Sequence, residues 1–296
     1  MDNLVAQPLG TALVAQPFRA AWAKRLATGC ALLALAACAG TASKPATPLP
    51  SPDARVRILV FNIHAGKDAA GVPNLAGVAD LIHSTGADIA LAQEVDRGTR
   101  RSGRVDQPRV MSDATGYPVA FGRSLDYDDG HYGIAAFARN GFVAQFTEPL
   151  PVLPTQERAG GSHEPRAALV TVIRTALGNL TALNTHLDAS RDDGYRLQEV
   201  KKVLDLIARA KTSRMPVVAA GDFNAEPGSQ VHKSMLAGGL RDAWLECGAG
   251  DGFTYPADKP VKRIDYVFLA DPLHCTDARV IETKISDHRP LLVTVR

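Results

Sequence analysis

Several kinds of protein are excluded by what this chain does not contain. Its longest apolar run, Leu26–Ala37, has twelve residues, where about 20 are needed to cross a bilayer. It also has no surplus of charge. The 33 basic and 31 acidic residues come level once the four basic and two acidic residues of positions 1–54 are set aside. A neutral body offers polyanions no global field, which counts against an avid non-specific nuclease. The four cysteines form no cluster and no His-Glu-x-x-His occurs, so a zinc site has no framework. There is no Gly-x-Ser-x-Gly elbow for a serine hydrolase. No glycine-rich stretch ends in the Lys-Ser/Thr of a phosphate-binding loop. Nor is there a fold-wide repeat or a second-domain break after residue 55.

What remains divides into three expected parts: a leader over 1–38, a linker over 39–54 and one domain over 55–296. Lys24-Arg25 ahead of Leu26–Ala37 has the form of a positive and then an apolar signal region. Leu35-Ala36-Ala37-Cys38 resembles a bacterial lipobox, which implies cleavage before Cys38 and lipid on its sulfur. Ala39 fits sorting to the outer membrane, so the expected location is the cell envelope, as a lipoprotein facing the periplasm or the surface. A soluble periplasmic product is the alternative. Upstream, Leu4-Val-Ala-Gln-Pro recurs as Leu13-Val-Ala-Gln-Pro, with no evident physical use. The linker holds Pro45, Pro48, Pro50 and Pro52 among small residues and reads as a semi-stiff tether. Cys247 and Cys275 remain in the body, and the sequence leaves open whether they pair. A monomer is expected.

With 46% hydrophobic and 22% charged residues, the body is large enough for a sizeable core. Its apolar runs end repeatedly in polar groups. Val56, Ile58 and Val60 alternate up to Asn62, a helix with Leu75, Val78, Ala79 and Ile82 on one face follows, and a second run exits through Glu94. Two strands joined by a helical crossover are a parallel pair, and a right-handed crossover brings Asn62 and Glu94 to one edge. Tyr132-Gly133 and Arg166 open further strands, and Asn-Thr-His186-Leu closes another. A helix from Asp192 or Asp193 carries Leu197, Val200, Val203, Leu204 and Ile207 as a core stripe. Beyond it come Gly221-Asp222-Phe223-Asn224, a strand over 261–269 containing Asp265, a strand over 279–285, and Ser286-Asp287-His288 leading into the last strand. Many strands and few strong helices point to an α/β protein of two packed sheets with helices outside.

The polar ends converge on one chemistry. Hard carboxylate oxygens suit Mg2+, or Mn2+, rather than zinc. A cation of that kind, a carboxylate that takes a proton from water and donors on an oxyanion make a phosphoester hydrolase. Arg100 and Arg101 sit in an arginine-rich loop after Glu94, which is either an anionic-substrate clamp or a solvated loop.

Taken in order, Phe-Asn62-Ile, Gln-Glu94-Val, Tyr132-Gly, Arg166, Asn-Thr-His186-Leu, Gly-Asp222-Phe-Asn224, Arg-Ile-Asp265-Tyr and Ser-Asp287-His288 resemble the endonuclease/exonuclease/phosphatase superfamily. The resemblance implies a four-layer α/β sandwich of the DNase I-like type and Mg2+-dependent attack of water on a phosphoester. It implies that Asn62 and Glu94 hold the metal, assisted by Asp287. Asp222 would activate the water, Asn224 and His288 would meet the phosphoryl group, and Asp265 would orient His288. His186 would contact the phosphate from the other side, braced by Arg166. The run from Glu94 through Asp96, Thr99-Arg-Arg-Ser-Gly and Asp106 resembles a branch whose eukaryotic members process glycosylphosphatidylinositol lipids. The expected substrate is a phospholipid headgroup or small phosphodiester, reached from a lipid-anchored position. The alternatives are an exported nuclease and a non-catalytic envelope binding module.

Overall fold

A computed structural model describes residues 51, 53–150 and 164–296. The leader, the lipidation site expected at Cys38 and nearly all of the linker lie outside the described residues.

Apolar runs, several buried on both faces, build two sheets that share one interior. The first sheet takes β1 (Val56–Asn62), β2 (Ile89–Arg97), β3 (Val119–Tyr127) and β4 (Gly130–Ala138) from the front of the domain. It takes β11 (Cys275–Val280) and β12 (Leu291–Val295) from the end, in the order β11-β12-β1-β2-β4-β3. The second sheet comprises β5 (Phe142–Leu150), β6 (Arg166–Thr175), β7 (Gly178–His186), β8 (Val217–Asp222), the two-residue β9 (Arg241–Asp242) and β10 (Asp265–Leu269). Its order is β5-β6-β7-β8-β10-β9. Each sheet has one parallel pair, β1 with β2 and β7 with β8, and every other pairing is antiparallel.

A helical crossover joins each parallel pair, as parallel strands require. Helix α1 (Leu75–Ser84) follows β1 and buries Val78, Ala79, Leu81 and Ile82. Helix α3 (Gly194–Lys211) follows β7 and buries Val200, Val203, Leu206 and Ile207. Helix α2 (Gln107–Thr115) joins α1 on the first sheet, and α4 (Gln230–Ala237) joins α3 on the second.

Three apolar layers result. Val56, Ile58 and Val60 of β1 face Val218 and Ala220 of β8 between the sheets, while Leu59 and Phe61 turn outward to α1. This is the four-layer α/β sandwich expected from the sequence. The element boundaries differ in places. The strand expected over 261–269 begins only at Asp265, and the one expected over 279–285 lies at Cys275–Val280. Strand β5 had no readable signal because it is an edge strand whose residues are mostly exposed, Val143 and Phe146 among them. Cys247 and Cys275, undecided from sequence, are joined in a disulfide with Cα atoms 5.8 Å apart.

Candidate active site

The same alternation that fills the core places the polar residues. In β1 the inward row Val56, Ile58, Val60 continues to Asn62; in β8, Val218 and Ala220 continue to Asp222. In β7 the row Leu180, Ala182 runs on to His186, and in β10 Asp265 precedes Val267 and Leu269. Side chains two apart on a strand share a face. All four therefore point between the sheets, at the rim where the apolar filling stops.

Register sets their order. His186 pairs with Asp222 across β7–β8, and Asp222 pairs with Asp265 across β8–β10, giving three titratable groups side by side. Gly221 makes this close approach feasible. It has a φ of +142°, and a Cβ there would lie 1.9 Å from the Thr185 carbonyl oxygen.

Glu94 reaches the rim by another route. Alternation puts Gln93, not Glu94, in the inward row of Ile89 and Leu91. A bulge between Ala92 and Val95 sets two residues against one of β4, and Glu94 takes a left-handed φ of +57°. Its side chain swings into the cleft, where Asn62 Nδ2 donates to Glu94 Oε1 at 3.1 Å. Two buried amides, Gln93 in the bulge and Asn184 across the interior, brace it. Gln93 Nε2 donates to Asn184 Oδ1 at 2.7 Å, and Asn184 Nδ2 donates to the carbonyls of Ala92 and Ala135 at 3.0 and 2.9 Å.

Asp222 is the hub. Its Oδ2 accepts from Asn62 Nδ2 at 3.0 Å and its Oδ1 from the Asn224 backbone N–H at 2.9 Å. Arg166 Nη1 lies 3.0 Å from His186 Nδ1. A guanidinium can only donate, so Nδ1 is the acceptor and the imidazole proton sits on Nε2, 3.5 Å from Asp222 Oδ2. Burial, then the charges of Arg166 and His288, hold His186 well below the usual histidine range, so it is neutral. Arg166 is itself buried and braces this ring, with Glu164 at 3.6 Å.

His288 behaves oppositely. Its Nδ1 lies 2.9 Å from Asp265 Oδ2, and its Nε2 is 3.7 Å from Asp222 Oδ2. Burial lowers its pKa, but the charge of Asp265 and the hydrogen bond to it, with Asp222 and Asp287 beyond, outweigh that and raise it to about 10. Burial and the neighbouring Asp265 charge push Asp222 up to about 7, against the pull of His288, Asn224 and Asn62. In this trio the proton lodges on the imidazole.

These groups line a cleft of about 840 Å³. Glu94, Tyr132, Arg166, His186, Asp222, Asn224, Asp287 and His288 all border it. Tyr132 is buried, with its hydroxyl 3.5 Å from His186 Nδ1. Arg101 also borders the cleft, but Arg100 does not. Successive residues of the tight turn Arg100–Ser102 point in different directions, and Arg100 turns out to Asp128 and Asp129 at 3.0 and 3.3 Å. Of the two alternatives for this loop, Arg100 takes the solvated side and Arg101 the cleft side. Asn224 uses one side-chain N–H on the Leu187 carbonyl at 2.9 Å.

The donor set fits a hard divalent cation. Carboxylates crowd the cleft, and among the described residues Asp265 Oδ1 is buried without a hydrogen-bond partner. Among the described residues, Asp222, Asp265 and His288 bring ligating atoms within 4.8 Å of one another. That group is already paired internally, with His288 Nδ1 on Asp265. Glu94 and Asp287 border the same cleft outside that internal pair, which favours their side. Asn62 Oδ1 accepts from the His64 N–H at 3.1 Å, so Asn62 enters the site here mainly as a donor.

Sequence reasoning missed Gln93, Asn184 and Tyr255, whose ring lies 4.8 Å from the His288 ring. For the two amides the signal was present: each is adjacent to, or two residues from, a quoted site residue.

Comparison with known proteins agrees with this architecture. The sequence model of the Endonuclease/Exonuclease/phosphatase family matches residues 59–288. The protein YbhP of Escherichia coli K12, described as uncharacterized, is 22% identical over 251 residues, covering 79% of this chain and 94% of that protein. Among solved structures, a mannosyl-6-phosphatase from Bacteroides thetaiotaomicron is 18% identical, with a TM-score of 0.67 over 81% of this chain and 99% of its own. The human Nocturnin catalytic domain, solved with bound sulfate, is 19% identical, with a TM-score of 0.65 over 84% and 95%. At these identities the structural likeness carries the fold alone.

Proposed function

The chain belongs to the endonuclease/exonuclease/phosphatase family, and from that premise and the geometry above we propose that it is a Mg2+-dependent hydrolase of small phosphodiesters, phospholipid headgroups first among them. The coarser part, hydrolysis of phosphoesters, rests on the family. The finer part rests on the cleft and on the absence of a net-basic body.

The observation that carries the reading is the in-register row His186, Asp222, Asp265, completed by His288. Asn62 and His186 direct their N–H groups at Asp222 Oδ2 and hold that carboxylate in place. A base raised to about 7 is matched to taking a proton from water at neutral pH. The water oxygen attacks phosphorus, its proton passes to Asp222, and the bond to the leaving oxygen breaks. His288, charged and fixed by Asp265, donates from Nε2 to a phosphoryl oxygen as negative charge accumulates. Glu94 and Asp287 would hold the cation, with Asn62 Nδ2 steadying Glu94. When bound, it supplies Lewis-acid withdrawal of charge from the phosphoryl oxygen.

The test is release of p-nitrophenol from its bis-ester in Mg2+, after chelation, and in Asp222→Ala. Loss on chelation, recovery with Mg2+ and a fall of roughly 10³-fold or more in the variant are expected. Undiminished turnover by Asp222→Ala would end the mechanism. A panel of DNA, sphingomyelin, phosphatidylinositol and inositol phosphates then addresses substrate. Degradation of plasmid DNA by the wild type but not by His288→Ala would favour the nuclease reading instead. For location we keep the envelope lipoprotein. The Cys247–Cys275 disulfide accords with an oxidising compartment, and release of the protein from membranes in Cys38→Ser tests it.

A further inference from the structure

Beside the phosphate centre the cleft has a second built feature. Asp96 on β2 is fully buried, and hydrolysis makes no use of its charge. Arg101 grips it with a fork: Nε donates to Oδ2 at 2.7 Å and Nη2 to Oδ1 at 2.8 Å. Thr99 Oγ1 adds a bond to Oδ2 at 2.8 Å. Gln107 fixes the backbone beneath, its Oε1 accepting from the Asp96 N–H at 2.9 Å and its Nε2 donating to the Ala65 carbonyl at 2.7 Å. The Arg101 guanidinium lies over two rings, Tyr127 at 4.6 Å and Tyr132 at 5.4 Å.

This support goes to a side chain that is 31% exposed and borders the cleft. Among the described residues Nη1 makes no hydrogen bond, so its N–H groups remain for a ligand. Tyr132 connects the two places, since its ring lies under Arg101 and its hydroxyl is 3.5 Å from His186 Nδ1. Arg101 thus stands about one tyrosine ring from the phosphate centre. An immobilised guanidinium loses little freedom on binding and suits a planar or tetrahedral oxyanion.

We propose that Arg101 forms a second anion subsite, and that the substrate carries a phosphate or carboxylate about one six-membered ring away from the scissile phosphoester. The inference rests on the phosphohydrolase reading only in naming that ester.

Isothermal titration after chelation of Mg2+ tests it without turnover, using glucose 1-phosphate, glucose 1,6-bisphosphate and glucuronic acid 1-phosphate as probes. The wild type is expected to bind at least one doubly anionic sugar roughly 10- to 100-fold tighter than the monophosphate, and which one distinguishes phosphate from carboxylate. In Arg101→Leu the gap closes. Because that change strands a buried Asp96, the neutral pair Asp96→Asn/Arg101→Gln is the second variant, with the same closure expected. Equal affinities in the wild type, no binding of either doubly anionic sugar, or a gap that survives both variants would overturn the proposal. A wild type that prefers the bisphosphate yet cleaves no phosphoester sinks the hydrolase reading and leaves the subsite standing. Cleavage without that preference does the reverse.

Discussion

Glu199 on α3 offers the most quantitative handle on this molecule. It is fully buried, its Oε2 accepts from the Asp188 N–H at 2.8 Å, and among the described residues its Oε1 has no hydrogen-bond partner. That bond anchors the chain two residues after His186. Burial raises the carboxyl from 4.5 to about 8, with the Asp188 N–H and Arg166 opposing. Between those values the folded chain holds a proton that the unfolded chain has released, so this group makes the fold less stable as pH rises. At about 1.36 kcal/mol per unit, the loss between roughly pH 5 and pH 9 is on the order of 4 kcal/mol. Glu199→Gln keeps an acceptor for the Asp188 N–H and removes the titration. The variant should melt close to the wild type near pH 5 and roughly 8–16 °C above it near pH 9. The assay is a thermal melt of both proteins at each pH, followed by circular dichroism. A difference in Tm that is the same at both ends of the range would refute the reasoning.

Three further outcomes follow from other parts of the structure. Replacing Cys247 and Cys275 by serine reopens a 28-residue separation, and the chain-entropy estimate is about 3–4 kcal/mol; a Tm unchanged by the double variant or by reductant would contradict it. Asn184→Ala unties the bulge that aims Glu94, so Mg2+ affinity measured by titration should weaken by about 10- to 100-fold; undiminished affinity would remove Asn184 from the support of the site. Gly221→Ala drives a methyl group into the Thr185 carbonyl, so denaturant unfolding should show a loss of about 3 kcal/mol or more, and wild-type stability would disprove the close approach.

The sandwich and most of its rim were legible because one rule served both. A polar residue ending an apolar strand keeps the direction of the residues two and four before it, so Asn62, His186 and Asp222 were readable as strand-end groups, while their roles came from the family resemblance. Glu94 obeys a different rule. Its alternation points the wrong way, and only a bulge set by pairing with β4 turns it inward. Arg100 and Arg101 are chemically identical neighbours, so only the geometry of their turn separates a solvent-side ion pair from a group on the cleft wall. Gln93 and Asn184 stand in the quoted motifs but were given no role, since their roles exist only across the sheet interface, between residues 91 apart in the chain. Strand β5 is held by hydrogen bonding to β6 rather than by an apolar face, which leaves little mark in composition.

The bond from Asn62 to Asp222 joins strands of opposite sheets across 160 positions of sequence. Neither half can therefore work before the other has closed upon it. A chain with one sheet assembled and the other still loose holds a scattered set of ordinary side chains. Turnover would thus report completion of the whole architecture, and a newly made or half-unravelled copy would be harmless to the phosphoesters around it.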